Sequence, residues 1–226
     1  MTRMRTATLL KRILDSGPPP AAPSAADETS ERILEAGARQ AEDFGLRRFT
    51  IDDVARRVGM SRVTIYRYFP RKDQLIEAIL LRELRRFLDS VDAAIAPYDT
   101  VEERLVEGFV FTLKFLRRHA LLNRLLRTEP ELILPSLTVK GGPVLDAGRE
   151  FIARFAYREA EEGRLALSDE DVAGVSEMLA RAVLSFVLTP QSVLGLETEQ
   201  EIRHFAEHYL APVLHALSVP PPDQAG

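Results

Sequence analysis

The chain has 226 residues with 30 Lys and Arg against 34 Asp and Glu, a net charge of −4. That length fits one domain plus a small satellite, and that balance excludes a surface that coats nucleic acid throughout, while leaving room for one local basic face. There is no cysteine, so disulfides, thiolate nucleophiles and Cys-based zinc or iron–sulfur sites are excluded, and a reducing cytoplasm is compatible.

Hydrophobic residues make up 46% of the chain, enough for a sizeable core. No stretch approaches the ~18 apolar residues of a membrane span; the longest candidate, Ala182–Leu188, is interrupted by Ser185. The N-terminus carries Arg3, Arg5, Lys11 and Arg12 but no apolar run typical of a secretory signal. The expectation is a soluble, cytoplasmic protein.

Residues 1–26 read as a basic tail and a Pro/Ala linker, GPPPAAPSAA at 17–26, which cannot continue a helix. The tail is either a mobile extension or an arm that adds phosphate contacts. From residue 27 the apolar residues recur at three and four, and no alternating run with hairpin signals appears. The fold class is therefore all-α, with about nine helices. The first spans about 30–44 and stops at Gly45. The second starts at Thr50, whose Thr50-Ile51-Asp52-Asp53 resembles a capping box, and stops at Gly59. The third runs from Ser61 to just before Pro70, and the fourth from about Lys72 into the early 90s. Thr100 caps a fifth to Arg118, and a short sixth reaches Arg127. Pro130, Pro135 and Gly141-Gly142 predict a loop-rich connection. Pro143 opens a seventh helix to Glu162, Ser168 caps an eighth that ends at Thr189-Pro190, and Thr198 caps a ninth, kinked at Pro212. Residues 219–226 read as a disordered tail.

Charge is segregated along this plan. Residues 46–86 hold 11 Lys and Arg against 5 Asp and Glu, while residues 87–226 hold 13 against 22. The basic segment contains TIDDVARRVGMSRVTIYRYF at 50–69, two short helices joined by Gly59-Met60-Ser61. Such a turn between short helices is the helix-turn-helix signature. Ile51, Val54, Ala55 and Val58 face inward, and Ile65 with Phe69 seals the second helix. The outward face then offers Val63, Thr64, Tyr66 and Arg67, with Arg62 at its start. Arg can pair with guanine in a major groove, Thr can reach phosphate or a thymine methyl, and a Tyr hydroxyl can donate to phosphate. Thr50 at a helix N-terminus, Lys72, Arg47 and Arg48 are further phosphate candidates.

The run Ile33-Leu34-x-Ala36, Phe44-Gly45, Phe49-Thr50-Ile51, Val54-Ala55, Val58-Gly59-Met60-Ser61, Thr64-Ile65-Tyr66, Tyr68-Phe69 and Lys72-Asp73-x-Leu75 resembles the TetR/AcrR family of bacterial transcriptional regulators. The resemblance covers about 50 residues. It implies a three-helix DNA-binding domain at 27–72, a larger helical ligand-binding and dimerisation domain at 73–218, and a homodimer. It also implies that Thr50, Tyr66, Tyr68 and Lys72 contact phosphates while Arg62, Val63, Thr64 and Arg67 approach bases. Many members carry His where this chain has Tyr68 and Gly where it has Val63; the valine suggests an apolar touch, such as a thymine methyl.

In the body, Phe109, Phe111, Phe115, Phe151, Phe155, Met178 and Phe186 are either core or the lining of a pocket for a small apolar or amphipathic effector. Arg154 and Arg181 could greet a ligand carboxylate or form surface ion pairs. Val172, Val175, Leu179 and Val183 on the eighth helix, and Phe205, Tyr209 and Val213 on the ninth, form stripes that suit a four-helix dimer interface. His204-Phe205-Ala206-Glu207-His208 is formally the H-x-x-E-H pattern of some zinc hydrolases, with His215 as a distant third ligand. A five-residue pattern recurs by chance, and no acidic third-ligand helix accompanies it. No Gly-rich phosphate loop, nucleophile elbow or nicotinamide fingerprint appears. The reading is a DNA-binding regulator without enzymatic activity, metal or cofactor. It acts as a repressor on a palindromic operator, released by an apolar or amphipathic effector. A constitutive or protein-controlled regulator is the alternative.

Overall fold

A computed structural model describes residues 25–218; the tails expected at 1–26 and 219–226 lie outside them, except for Ala25 and Ala26, which were expected in the linker and instead open the first helix. The described residues are helical, without strands. Two compact units divide them. One comprises the described residues up to Phe87 together with His119–Pro143; the other comprises Leu88–Arg118 and the described residues from Val144 onward. None of the described helices is long and apolar enough to cross a membrane.

The first unit contains α1 (Ala25–Phe44), α2 (Ile51–Val58), α3 (Arg62–Tyr68) and the start of α4 (Lys72–Ile95), joined by α6 (Ala120–Thr128) and α7 (Pro130–Leu137). Its core is built from Ile33, Phe49, Val54, Ile65, Leu75 and Ile79, with Leu121 and Leu125 of α6 packed in the same cluster. The unit therefore extends beyond the 27–72 expected for the DNA-binding domain. Residues 130–137, expected to be loop, are helical. Pro130 stands at the first position, where a missing N–H costs nothing, and only Pro135 removes an internal bond. Leu125→Ala should destabilise this unit by about 3 kcal/mol, as for a filled core site. Leu132→Ala on the half-exposed side of α7 should stay within about 0.5 kcal/mol. Urea titration of the two variants checks the contrast.

The second unit centres on α5 (Val101–Arg118), whose Val106, Phe109, Val110 and Leu113 pack on α9 (Asp169–Leu188) and α10 (Glu199–Phe205). α8 (Gly142–Glu161) adds Ala156, which clusters with Leu165, Val172 and Leu214. Capping follows the sequence: Ser168 accepts from the Asp171 N–H at 3.1 Å, and Thr198 with Glu201 forms a complete capping box. Here the chain also buries a carboxylate. Glu159 accepts from Arg104 and from Arg164, each at 2.6 Å. Burial would raise its pKa, but the bonds from Arg164 and Arg104 outweigh that and hold it below the usual carboxylate value.

The ninth expected helix is interrupted immediately before Pro212. A π-helical turn at Ala206–Leu210 precedes α11 (Ala211–Ser218), and Pro212 is its second residue. A proline cannot donate to the carbonyl four residues back, and its ring crowds that carbonyl, so the turn before it opens to a wider bonding pattern.

Candidate nucleic-acid interface

Helix α2 is fixed at both ends. Thr50 adopts an extended conformation, and its hydroxyl accepts from the Asp53 N–H at 3.2 Å. Gly59 closes the helix in the left-handed region, φ 72°, donating to the Ala55 carbonyl. Only a residue tolerant of positive φ ends a helix this way cheaply. Two residues on, Ser61 caps α3 by accepting from the Thr64 N–H at 3.1 Å. The caps leave room for a seven-residue α3 in which Ile65 alone is buried.

The other α3 side chains separate into two groups. Arg62, Val63, Tyr66 and Arg67 are exposed, Val63 to 79%. Thr64 is half-buried, with its hydroxyl 2.9 Å from that of Ser61, and Tyr68 packs against the hydrophobic core. The Arg67 guanidinium lies 5.5 Å from the Tyr68 ring centroid. Thr50, Arg47 and Arg48 are exposed. Lys72 opens α4, with its ammonium 5.9 Å from the centre of the buried Phe49 ring.

The first turn of α2 carries Asp52 and Asp53, which favour the helix dipole but would repel phosphate. Each is neutralised locally. Arg62 pairs with Asp52, and Arg56 lies 3.1 Å from Asp53. Arg47 is likewise engaged, ion-paired with Glu131.

Sequence reasoning missed the brace behind this surface. Glu129, between α6 and α7, is 4% exposed. Its carboxylate accepts from the backbone N–H of Leu46 at 3.1 Å and of Arg47 at 3.2 Å. These residues lead into α2. Gly45, φ 78°, sits so close that an added Cβ would lie 1.9 Å from the carboxylate. The available signal was a lone acidic residue before Pro130, which reads as loop.

In the body, several expected surface or pocket residues are core. Val172 and Leu179 are buried within the chain, and so is Phe205. Val175 and Val183 pack partly against the same core. In the single chain these side chains face α5, on which α9 and α10 pack. Tyr209 is exposed, and Val213 half-buried. Phe109 packs tilted and Phe186 edge-on against Phe205, with centroids 5.7 and 5.4 Å away. Phe111 and Phe115 pair at 5.7 Å and, like Phe151 and Phe155, are half-buried. Met178 is exposed. Arg154 and Arg181 are exposed, and Arg181 pairs with Glu177. His204, Glu207 and His208 are exposed; the two imidazoles stack 5.6 Å apart. Among the described residues, no group of three or more His, Cys, Asp or Glu is arranged to hold a metal ion.

A capped helix pair presenting a short recognition helix defines a regulator of the helix-turn-helix class. Residues 33–79 match the profile of bacterial regulatory proteins of the tetR family, and residues 101–207 match that of the C-terminal domain of bacterial tetracycline repressors. The chain belongs to the TetR family of transcriptional regulators. An uncharacterised regulator of this type from Mycobacterium bovis is 32% identical over 103 residues, 45% of this chain and 52% of its own. YhgD of Bacillus subtilis is 27% identical over 100 residues, 44% of this chain and 52% of its own. This chain thus spans about half the length of the curated relatives it matches. The repressor AlkX from Dietzia, implicated in n-alkane biodegradation, superposes with a TM-score of 0.60 at 23% identity, covering 83% of this chain and 98% of AlkX. The R. erythropolis repressor QsdR gives 0.55 at 20%, covering 84% and 95%. At these identities the likeness establishes the fold.

Proposed function

We propose that the protein is a repressor that binds a palindromic DNA operator as a homodimer and leaves it when a small apolar or amphipathic effector occupies the second unit. The observation that carries the DNA reading is the exposed face of α3. Val63, Tyr66 and Arg67 project from a helix with capped entry, and the neighbouring acids are already paired. Val63 and Arg67 read base edges, Arg62 approaches them from its Asp52 pair, and Thr64 buttresses the helix start. Thr50, Tyr66, Tyr68, Lys72 and Arg48 hold phosphates, with Arg47 added when its pair with Glu131 opens. Two recognition helices address half-sites about 34–36 Å apart or a multiple of that, and the exposed sides of α9 and α10 around Tyr209 join the two copies.

The half-buried Phe111, Phe115, Phe151 and Phe155 leave the second unit its most adaptable apolar surface. Helix α4 carries Lys72 at its start and buries Val91 and Ile95 near its end, so a tilt of this one helix is the route from effector to DNA. At 1.5 Å per residue its 24 residues span roughly 36 Å. An effector must favour the displaced state by about 5.5 kcal/mol to shift the population from 1% to 99%.

Fluorescence anisotropy on operators selected from a random DNA library tests the reading. Lys72→Ala should weaken all sequences alike and reduce the salt slope by about one, while Arg67→Ala should relax base preference at a cost of about 1–3 kcal/mol. Unchanged affinity in both variants would contradict the assignment of α3. Release by apolar compounds supports the effector class; release only by sugars or charged metabolites opposes it, and release by nothing favours control through a protein partner.

A further inference from the structure

The motif His204-Phe205-Ala206-Glu207-His208 takes no part in DNA binding as proposed above. Phe205 and Ala206 are buried in the cluster around α5, so the chain between the two histidines faces inward. His204 and His208 are exposed on the other side, one helical turn apart. Their ring centres lie 5.6 Å apart and their planes are inclined by 17°. Among the described residues neither imidazole enters a hydrogen bond or an ion pair; His208 meets only ring neighbours, His204 and Tyr209. An ion about 2.1 Å from one nitrogen of each ring lies about 3.2 Å from each ring centre, and a tetrahedral angle at the ion then separates the centres by about 5.2 Å. The pair therefore stands within a few tenths of an ångström of a chelating separation, on exposed side chains that can turn their nitrogens to one point. The surrounding charge suits a cation. Arg203 is engaged by Glu107 at 2.6 Å and by Glu199 at 3.0 Å. Glu207 is exposed without an ion-pair partner among the described residues, so its negative charge beside the pair is uncompensated.

We infer that His204 and His208 chelate a late first-row divalent ion of the zinc, nickel or copper class, through one nitrogen of each imidazole, with water in the remaining positions. Neutral imidazole selects such ions, whereas Ca²⁺ and Mg²⁺ call for oxygen ligands. The chain brings two donors together here, fewer than the three of a catalytic zinc or the four of a structural one. The ion accordingly exchanges with solution, and the site is not hydrolytic. When bound, it ties the end of α10 to the π-helical turn at Ala206–Leu210. The free ion concentration then sets how firmly that turn is held.

Zinc titration of the full chain without an affinity tag, followed by competition with a chromophoric chelator, tests the assignment. The parent should bind one Zn²⁺ more than the variant carrying both His204→Gln and His208→Gln. Either substitution alone removes the intramolecular second contact and should weaken that ion on the order of a hundredfold. His215→Gln should leave it unchanged, and excess Mg²⁺ should not displace it. Zinc should also slow amide exchange across residues 204–211 in the parent but not in the double variant, whose melting temperature without metal should match the parent's because both positions are exposed. Equal zinc binding by the double variant, parental affinity in either single variant, or exchange at 204–211 that ignores zinc would overturn the proposal.

Discussion

Glu129→Ala should destabilise the first unit by about 3 kcal/mol and speed amide exchange in α2 and α3 roughly a hundredfold. The carboxylate is buried and accepts from two backbone N–H groups, those of Leu46 and Arg47. Removing it strands both donors, and each unsatisfied buried donor costs about 1–3 kcal/mol. Partial entry of water into the vacated space keeps the total in the lower half of that sum. Glu129→Gln keeps one accepting oxygen and should cost about half as much. Hydrogen exchange read by mass spectrometry tests the prediction, because it reports each helix separately. Equal exchange in the alanine variant and the parent would mean that the turn at 45–47 holds itself.

The second large effect concerns Glu159. Alanine there should cost the second unit about 3 kcal/mol, because Arg104 and Arg164 lose a shared buried partner. Solvent beside Arg164 keeps the loss at the low end of what a fully enclosed pair would show. The pH dependence has a definite sign. The folded state holds this carboxyl below its ordinary value, so its stabilisation is present above the unfolded-state pKa and fades as pH falls through the folded one. Thermal melting from neutral to acidic pH should therefore converge for parent and Glu159→Ala. A gap that persists at the acid end would place the stabilisation in packing instead.

The sequence made the first unit legible where local rules dominate. The caps at Thr50 and Ser61 and the left-handed Gly59 are each decided within four residues, and the structure reproduces them. Ile65 as the one buried residue of α3 likewise follows from a short amphipathic repeat. Long-range packing was not legible. Nothing near Leu125 or Glu129 says that they serve a unit whose other helices lie about 80 residues earlier. A helix of Leu, Ile and two prolines at 130–137 reads as a break, because proline's compatibility with a first turn shows only when the turn is seen. On α9 and α10 the apolar stripes were legible, but not what each of them meets. A stripe states that a face is covered, not by which partner, and α5 covers it from within the same chain.

The wide turn at 206–210 has a consequence for how the last helix meets its core. In an uninterrupted α-helix each residue advances by about 100°. Measured from the buried Ile202, Leu210 and Leu214 would then drift by about 80° and 120°, and Tyr209 would return to within about 20° of the covered side. Burial runs the other way: Leu210 and Leu214 are covered and Tyr209 is half-exposed. One surplus residue in the turn sets the phase back by a single step and returns both leucines to the azimuth of Ile202. The same step carries Tyr209 outward. The π turn thus works as a vernier, letting a helix too long for one straight apolar seam follow the seam through a second segment.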